Sequence, residues 1–255
     1  MKGKTIALPE AGQGCLGPSF VPFGLEFPYR GCHPVFIEKI RSFYDNLWQW
    51  SPPFVQENLW LTKGQALAEL SGNAGFTYWD QTNSCSRNVR RRGGQNAPYV
   101  RQCGLCSGCL FRRMSLLWAK LESENETNSY LFDAFTLEKL PARLERGPKQ
   151  QSQQAFFFEG DSKSLDPKVP KQNGHGASDA EVLVYGAVGL DELAQLSQRP
   201  QSYTSHVDEL SCALGRQRPW VEEKVSTLLA QHAKEWQTFK DALAKNSFLR
   251  RCLIA

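Results

Sequence analysis

Four cysteines, Cys85, Cys103, Cys106 and Cys109, are spaced Cys-x17-Cys-x2-Cys-x2-Cys. Thiolates bind Zn²⁺ strongly, and Zn²⁺ takes four ligands at the corners of a tetrahedron. Two-residue spacers let neighbouring thiolates converge on one ion, and the longer spacer lets Cys85 return from the far side of a loop. Gly104 and Gly108 lie between ligands, where tight backbone turns are needed. Four protein ligands close the site, leaving no position for water or substrate, so the chemistry expected is structural. The competing reading is a set of buried cysteines packing as small hydrophobes. Cys15, Cys32, Cys212 and Cys252 have no ligand spacing. Cys32-His33 could form a nucleophile–base pair, but adjacent residues rarely present both groups to one substrate atom, and no second base is evident. His232 falls on an apolar helical stripe and reads as a packed core histidine, while His175 and His206 carry no signal.

Several elements must position this cluster. Thr5–Leu8 reads as a short buried strand, and the Pro- and Gly-bearing stretch from Pro9 to Cys32 as a long irregular loop. His33-Pro34 opens a helix with Phe36, Ile37, Ile40, Phe43, Tyr44 and Leu47 at helical spacing. Thr62 can cap a second helix from Lys63 to about Leu70, with Ala66, Leu67 and Leu70 inward. A short strand at Phe76–Trp79 would lead into the cysteine loop, and Leu110–Leu121 would form the helix after it. Residues 128–145 are expected to be helical. The domain reading is a partial α/β unit over 1–146 with the zinc loop at 80–114, a linker rich in Gln, Ser, Pro, Lys and Gly over 147–179, and a helical tail over 180–255. In the tail, Ser205 is an expected N-cap. The last helix would start at Pro219 with Val221, Val225, Leu228, Leu229, His232, Trp236, Phe239 and Leu243 on one face.

The chain has 255 residues, 41% of them hydrophobic, with a net charge of +4. That supports a globular core. The mean hydropathy of −0.46 leaves room for solvated stretches. No apolar run is long enough to span a bilayer, and the first residues lack a secretory apolar core. A cytoplasmic location with reduced thiols is the expectation, which favours metal over disulfide. Charge is unevenly distributed. No acidic residue occurs between Gln81 and Leu121, a window holding Arg87, Arg90, Arg91, Arg92, Arg101, Arg112, Arg113 and Lys120. Such a patch attracts phosphates. A solvated face, or compensation for four thiolates, explains it equally well.

The ordered set Pro9-Glu10-x-Gly12, Pro22, Arg30, His33-Pro34-x-Phe36, Thr62-Lys63-Gly64, Ser84-Cys85-Ser86, Cys103-Gly104-x-Cys106-x-x-Cys109 and Arg112-Arg113 resembles the C-terminal half of 7-cyano-7-deazaguanine synthase, especially its divergent branch in anti-phage defence systems. The resemblance covers about Thr5 to Met114, and residues beyond about Tyr130 lie outside it. It implies the C-terminal part of a nucleotide-binding α/β domain, of the adenine-nucleotide α-hydrolase-like kind, with a zinc loop. It also implies a ligase that uses ATP and Mg²⁺ to adenylate 7-carboxy-7-deazaguanine, which ammonia then converts through an amide to the nitrile. Glu10, Arg30, Lys63 and Arg112 become candidates for substrate or phosphate contacts.

The family's Ser-Gly-Gly-x-Asp-Ser phosphate loop has no counterpart in this sequence. Backbone N–H groups of such a turn grip the pyrophosphate. Gln65 also stands where the family usually places Glu. The resemblance therefore implies a substrate-side half that needs a partner carrying the phosphate loop, with ATP and Mg²⁺ entering only through that partner. In that case the N-terminal strand should expose an unpaired edge. The alternatives are a zinc-stiffened module that binds nucleic acid through its arginines, or an assembly subunit docking through Trp220 and Trp236.

Overall fold

The structure is a computed structural model that describes residues 4–22, 31–72, 76–77, 79–85, 102–121, 123–139 and 179–254. It is mostly helical, with a small parallel sheet that makes it a mixed α/β arrangement. The sheet has two strands, β1 (Ile6–Ala7) and β2 (Phe54–Val55), with Ile6 opposite Phe54 and Ala7 opposite Val55. β1 was expected to be buried but is exposed: Ile6 is 40% accessible, and no third strand pairs with the ribbon among the described residues.

The stretch expected to be a loop before Cys32 instead contains α1 (Gly12–Phe20). Its sequence, rich in glycine and interrupted by Pro18, argues against a helix by propensity. Packing overrides that. The same small residues let α1 sink into the core, with Cys15 and Leu16 fully buried. At Gly12 any Cβ would lie 1.7 Å from the Leu59 carbonyl oxygen. Pro18 lies inside this helix and is buried with it, although it supplies no N–H to the Gly14 carbonyl.

Helix α2 (Pro34–Trp48) begins where the sequence places it, with His33 as its cap and Pro34 in the first turn. Its apolar stripe, however, is left partly open: Phe36, Phe43, Leu47 and Trp48 are exposed. Helix α3 (Lys63–Ser71) is opened by a capping box. The Gln65 amide N–H donates to the Thr62 hydroxyl at 3.1 Å, and the Thr62 N–H donates to Gln65 Oε1 at 3.0 Å. The buried face of α3 is Thr62 and Gly64 rather than the expected Leu70, which is 43% exposed. Where a strand was expected over 76–79, residues 76 and 77 are not in a strand and Trp79 opens a 3-10 turn (Trp79–Gln81).

Helix α4 (Ser107–Ala119) follows the cysteine turn, and short α5 (Glu124–Asn128) follows it. Residues 129–139, expected to be helical, form a bridge and turns. The C-terminal part builds α6 (Asp179–Leu196), α7 (Thr204–Leu214), α8 (Arg218–Ala242) and α9 (Phe248–Ile254). A 3-10 turn over Pro200–Tyr203 feeds directly into α7, so Ser205 lies inside the helix rather than capping it. α8 buries the face expected of it, with Glu235 as an addition. α6 and α8 pack on α4, α3 lies along α4, and α1 meets α8. One hydrophobic core runs from Cys15 and Leu16 through the cysteine turn to Trp236 and Leu249. The interdomain segment expected over 147–179 lies outside the described residues, apart from Asp179. No helix among the described residues is long and apolar enough to cross a membrane.

Candidate metal centre

The cysteine turn is locked at both ends. The Gln102 N–H donates to Ser129 O at 2.8 Å, and the Leu131 N–H donates to Gln102 O at 2.8 Å, which anchors the entry to Cys103. The Gln102 side chain then reaches across to Cys85's neighbour, accepting the Ser84 N–H at 3.1 Å. Asn83 Oδ1 accepts the Cys85 N–H at 2.8 Å and turns that thiol inward. Gly104 sits at φ +79°, where a side chain is strained, and a Cβ there would also lie 1.9 Å from Phe132 O. Cys106 is the N-cap of α4 and Cys109 lies in its first turn.

The four sulfurs lie within 4.8 Å of one another. Cys103 to Cys109 is 3.8 Å, Cys106 to Cys109 is 3.5 Å, and Cys106 to Cys85 is 4.0 Å. Zinc–sulfur bonds of about 2.3 Å at tetrahedral angles give sulfur–sulfur edges of about 3.8 Å. The cluster therefore has the dimensions of a tetrathiolate cage and is far too open for disulfides. Backbone N–H groups point at the sulfurs, where they stabilise thiolate charge. Cys103 N–H donates to Cys85 Sγ at 3.4 Å, and Cys106 N–H to Cys103 Sγ at 3.3 Å. The positive end of α4 adds to this stabilisation of negative charge.

Electrostatics make the same point. Hydrogen bonding to Cys106, reinforced by burial, pushes the Cys103 thiol up, and Cys109 is pushed up first through Cys103. Cys85 is less buried and is lowered to about 7, chiefly by Cys103. Thiols packed this closely resist ionising one after another. A divalent cation among them removes the conflict by deprotonating all four. These residues could hold a metal such as zinc, in a closed set that serves structure.

The other candidates are scattered around this centre. Lys63 is the first residue of α3, and its Nζ donates to Ser84 Oγ at 3.4 Å, next to the ligand Cys85. Glu10 is exposed, with its carboxylate lying over Gly14 in α1. Arg30 lies outside the described residues. Arg112 is 3% exposed, and its guanidinium is already engaged. It donates to both oxygens of Glu126 at 2.7 Å, to Thr82 Oγ1 at 2.5 Å and to Trp79 O at 3.0 Å. It pins the 3-10 turn before Cys85 to α4 and α5. Arg113 pairs with Asp133 and lies over the Tyr130 and Phe135 rings.

His33, the base of the expected Cys32-His33 pair, is engaged by the start of α2 and by Ser19. His33 Nδ1 accepts the Val35 N–H at 3.2 Å, so the ring proton is on Nε2, facing Ser19 Oγ at 3.3 Å. A ring in this tautomer cannot take a proton from Ser19. Burial lowers its pKa to about 4.

A buried polar chain beneath α3 was not read from the sequence. Leu190 O accepts from His232 Nε2 at 2.9 Å, Gln13 Nε2 donates to His232 Nδ1 at 2.6 Å, and Gln13 Oε1 accepts the Lys63 N–H at 3.2 Å. Beside it, the Thr62 hydroxyl donates to Glu235 Oε1. The available signal was a glutamate interrupting the apolar face of α8. No protein-family model, curated protein or solved structure matches this chain.

Proposed function

We propose that this chain is a zinc-organised protein that supplies the substrate-side half of a 7-cyano-7-deazaguanine synthase-like ligase, working with a partner that carries the phosphate loop, ATP and Mg²⁺. The observation that carries the zinc part is the sulfur cage, in which three edges measure 3.5 to 4.0 Å and all four sulfurs lie within 4.8 Å of one another. In favour of the ligase part, Lys63 of the Thr62-Lys63-Gly64 step reaches the Ser84-Cys85 step. Two of the segments that carry the resemblance thus meet at one place, with a cation between them.

The partner is supported by the exposed sheet. Parallel sheets are normally covered on both faces, and two strands alone are marginal. Here a two-stranded parallel ribbon has exposed residues on β1, and the apolar side chains Phe43, Leu47 and Trp48 of α2 are exposed as well. A unit that adds parallel strands to this edge would complete an α/β layer.

The test has two steps. Elemental analysis of the purified chain should find about one zinc per chain. Calorimetry should then detect binding of 7-carboxy-7-deazaguanine to the zinc-loaded chain, lost in Lys63→Ala while zinc is retained. Zinc without any such binding, even with a phosphate-loop protein encoded beside it added back, removes the ligase reading and leaves the metal centre standing.

The acid-free window from Gln81 to Leu121 favours nucleic-acid binding as a second reading. Arg112 and Arg113 are occupied by Glu126 and Asp133, so that reading rests on the arginines at 87, 90, 91, 92 and 101, outside the described residues. Binding to single-stranded RNA or DNA that weakens steeply with salt supports it; no binding at low salt discards it.

A further inference from the structure

Glu235 is 1% exposed, on the face of α8 that meets the start of α3. Its Oε1 accepts from the Thr62 hydroxyl and from Gln231 Nε2 at 3.2 Å. Its Oε2 has no hydrogen-bond partner. The carboxyl lies directly against the backbone of α3: a Cβ at Gly64 would be 2.7 Å from Oε2 and 2.9 Å from Oε1. Glycine at position 64 is what lets the two helices approach this closely.

Among the described residues, no cation is paired with this group. From α8, His232 turns its ring to Gln13 and Leu190. From α3, Lys63 sends its ammonium to Ser84. α1 presents only the uncharged Gln13. On α4, Arg112 and Arg113 are held by Glu126 and Asp133. A carboxylate with one bare oxygen in such a place is costly, and the neutral acid costs less because it buries no charge.

We propose that Glu235 is a proton-operated latch: protonated, it pins the first turn of α3, Thr62 to Gln65, onto α8; ionised, it lets that turn open so that water can reach Oε2. Burial supports this by raising the acid from its ordinary 4.5 to about 7, against the opposing hydrogen bonds of Thr62 and Gln231. The direction follows from linkage. The closed state holds the proton more tightly than the open state, so the group's contribution to closure is fully present below about pH 4.5 and is lost as the pH rises through about 7. Thr62 is at once the cap of α3 and a donor to Glu235, so opening also frees the backbone that carries Lys63. The latch stands on this packing alone and is independent of the ligase reading.

The experiment is amide hydrogen exchange on the zinc-loaded full chain at pH 5.5 and 8, corrected for intrinsic rates, in wild type and Glu235→Gln. In wild type, opening of the Thr62–Gln65 amides should increase on the order of tenfold at the higher pH, and the glutamine variant should show no such increase. Equal pH dependence in the two proteins overturns the latch. A carboxyl-¹³C titration of wild-type Glu235 decides the matter even if the variant fails to fold: a midpoint near neutrality supports the latch, and a midpoint near an ordinary carboxylate value overturns it.

Discussion

At the residue scale, the protein's chemistry is concentrated in side chains whose neighbours leave them one role. Cys109 is fully buried and shares an edge with both Cys103 and Cys106. Cys109→Ser should reduce the bound zinc from about one per chain to a small fraction, with a loss of folding free energy that can approach the order of 10 kcal/mol a structural site supplies. Cys212→Ser, at an exposed position, should keep the full metal content. Both are read by elemental analysis and thermal melting. The ligands were legible in the sequence because coordination dictates their spacing. Arg112 was not. An arginine in a basic run reads as a solvated cation, and nothing local announces that Glu126 will meet it in the interior. Arg112→Met should cost about 3–5 kcal/mol by stranding Glu126, and adding Glu126→Gln should recover much of it, as measured by denaturant unfolding.

The helices divide by how much of their reason for forming is local. The starts of α2 and α3 are written in the sequence by His33-Pro34 and by Thr62 with Gln65. The face of α8 was legible from its periodicity, and in that pattern Glu235 was the one misfit. α1 was illegible, because glycine and proline usually signal a loop, and only the tight seat against Leu59 and the core makes a helix of it. The exposure of β1 was equally hidden, since a strand's sequence does not say what will cover it. For α3, Thr62→Ala removes the cap and the hydroxyl that meets Glu235. It should cost about 1 kcal/mol for the cap and about 1–3 kcal/mol more for the partner left bare, whereas Thr62→Ser should retain most of the stability. Chemical denaturation of both variants checks this.

For the molecule as a whole, buried titratable groups set the pH range of stability from opposite sides. His33 and His232 are lowered by burial to about 4 from 6.5, so protonating the unfolded chain erodes stability as the pH falls from 6.5 toward 4. Glu235 is raised to about 7 from 4.5, so stability erodes as the pH rises from 4.5 through 7. Between these three groups the opposing slopes cancel near neutrality, which puts the expected thermal optimum at about pH 7. Glu235→Gln should flatten the alkaline flank and leave the acid flank, as calorimetric scans across pH would show.

The chain from Leu190 through His232 and Gln13 to Lys63 spans most of the polypeptide, joining side chains 219 positions apart. The two ends of this protein are consequently obligate cofolders. Produced as separate polypeptides, 1–139 and 179–255 should each aggregate when made alone, yet associate and co-purify when made together, because each carries half of the same interior.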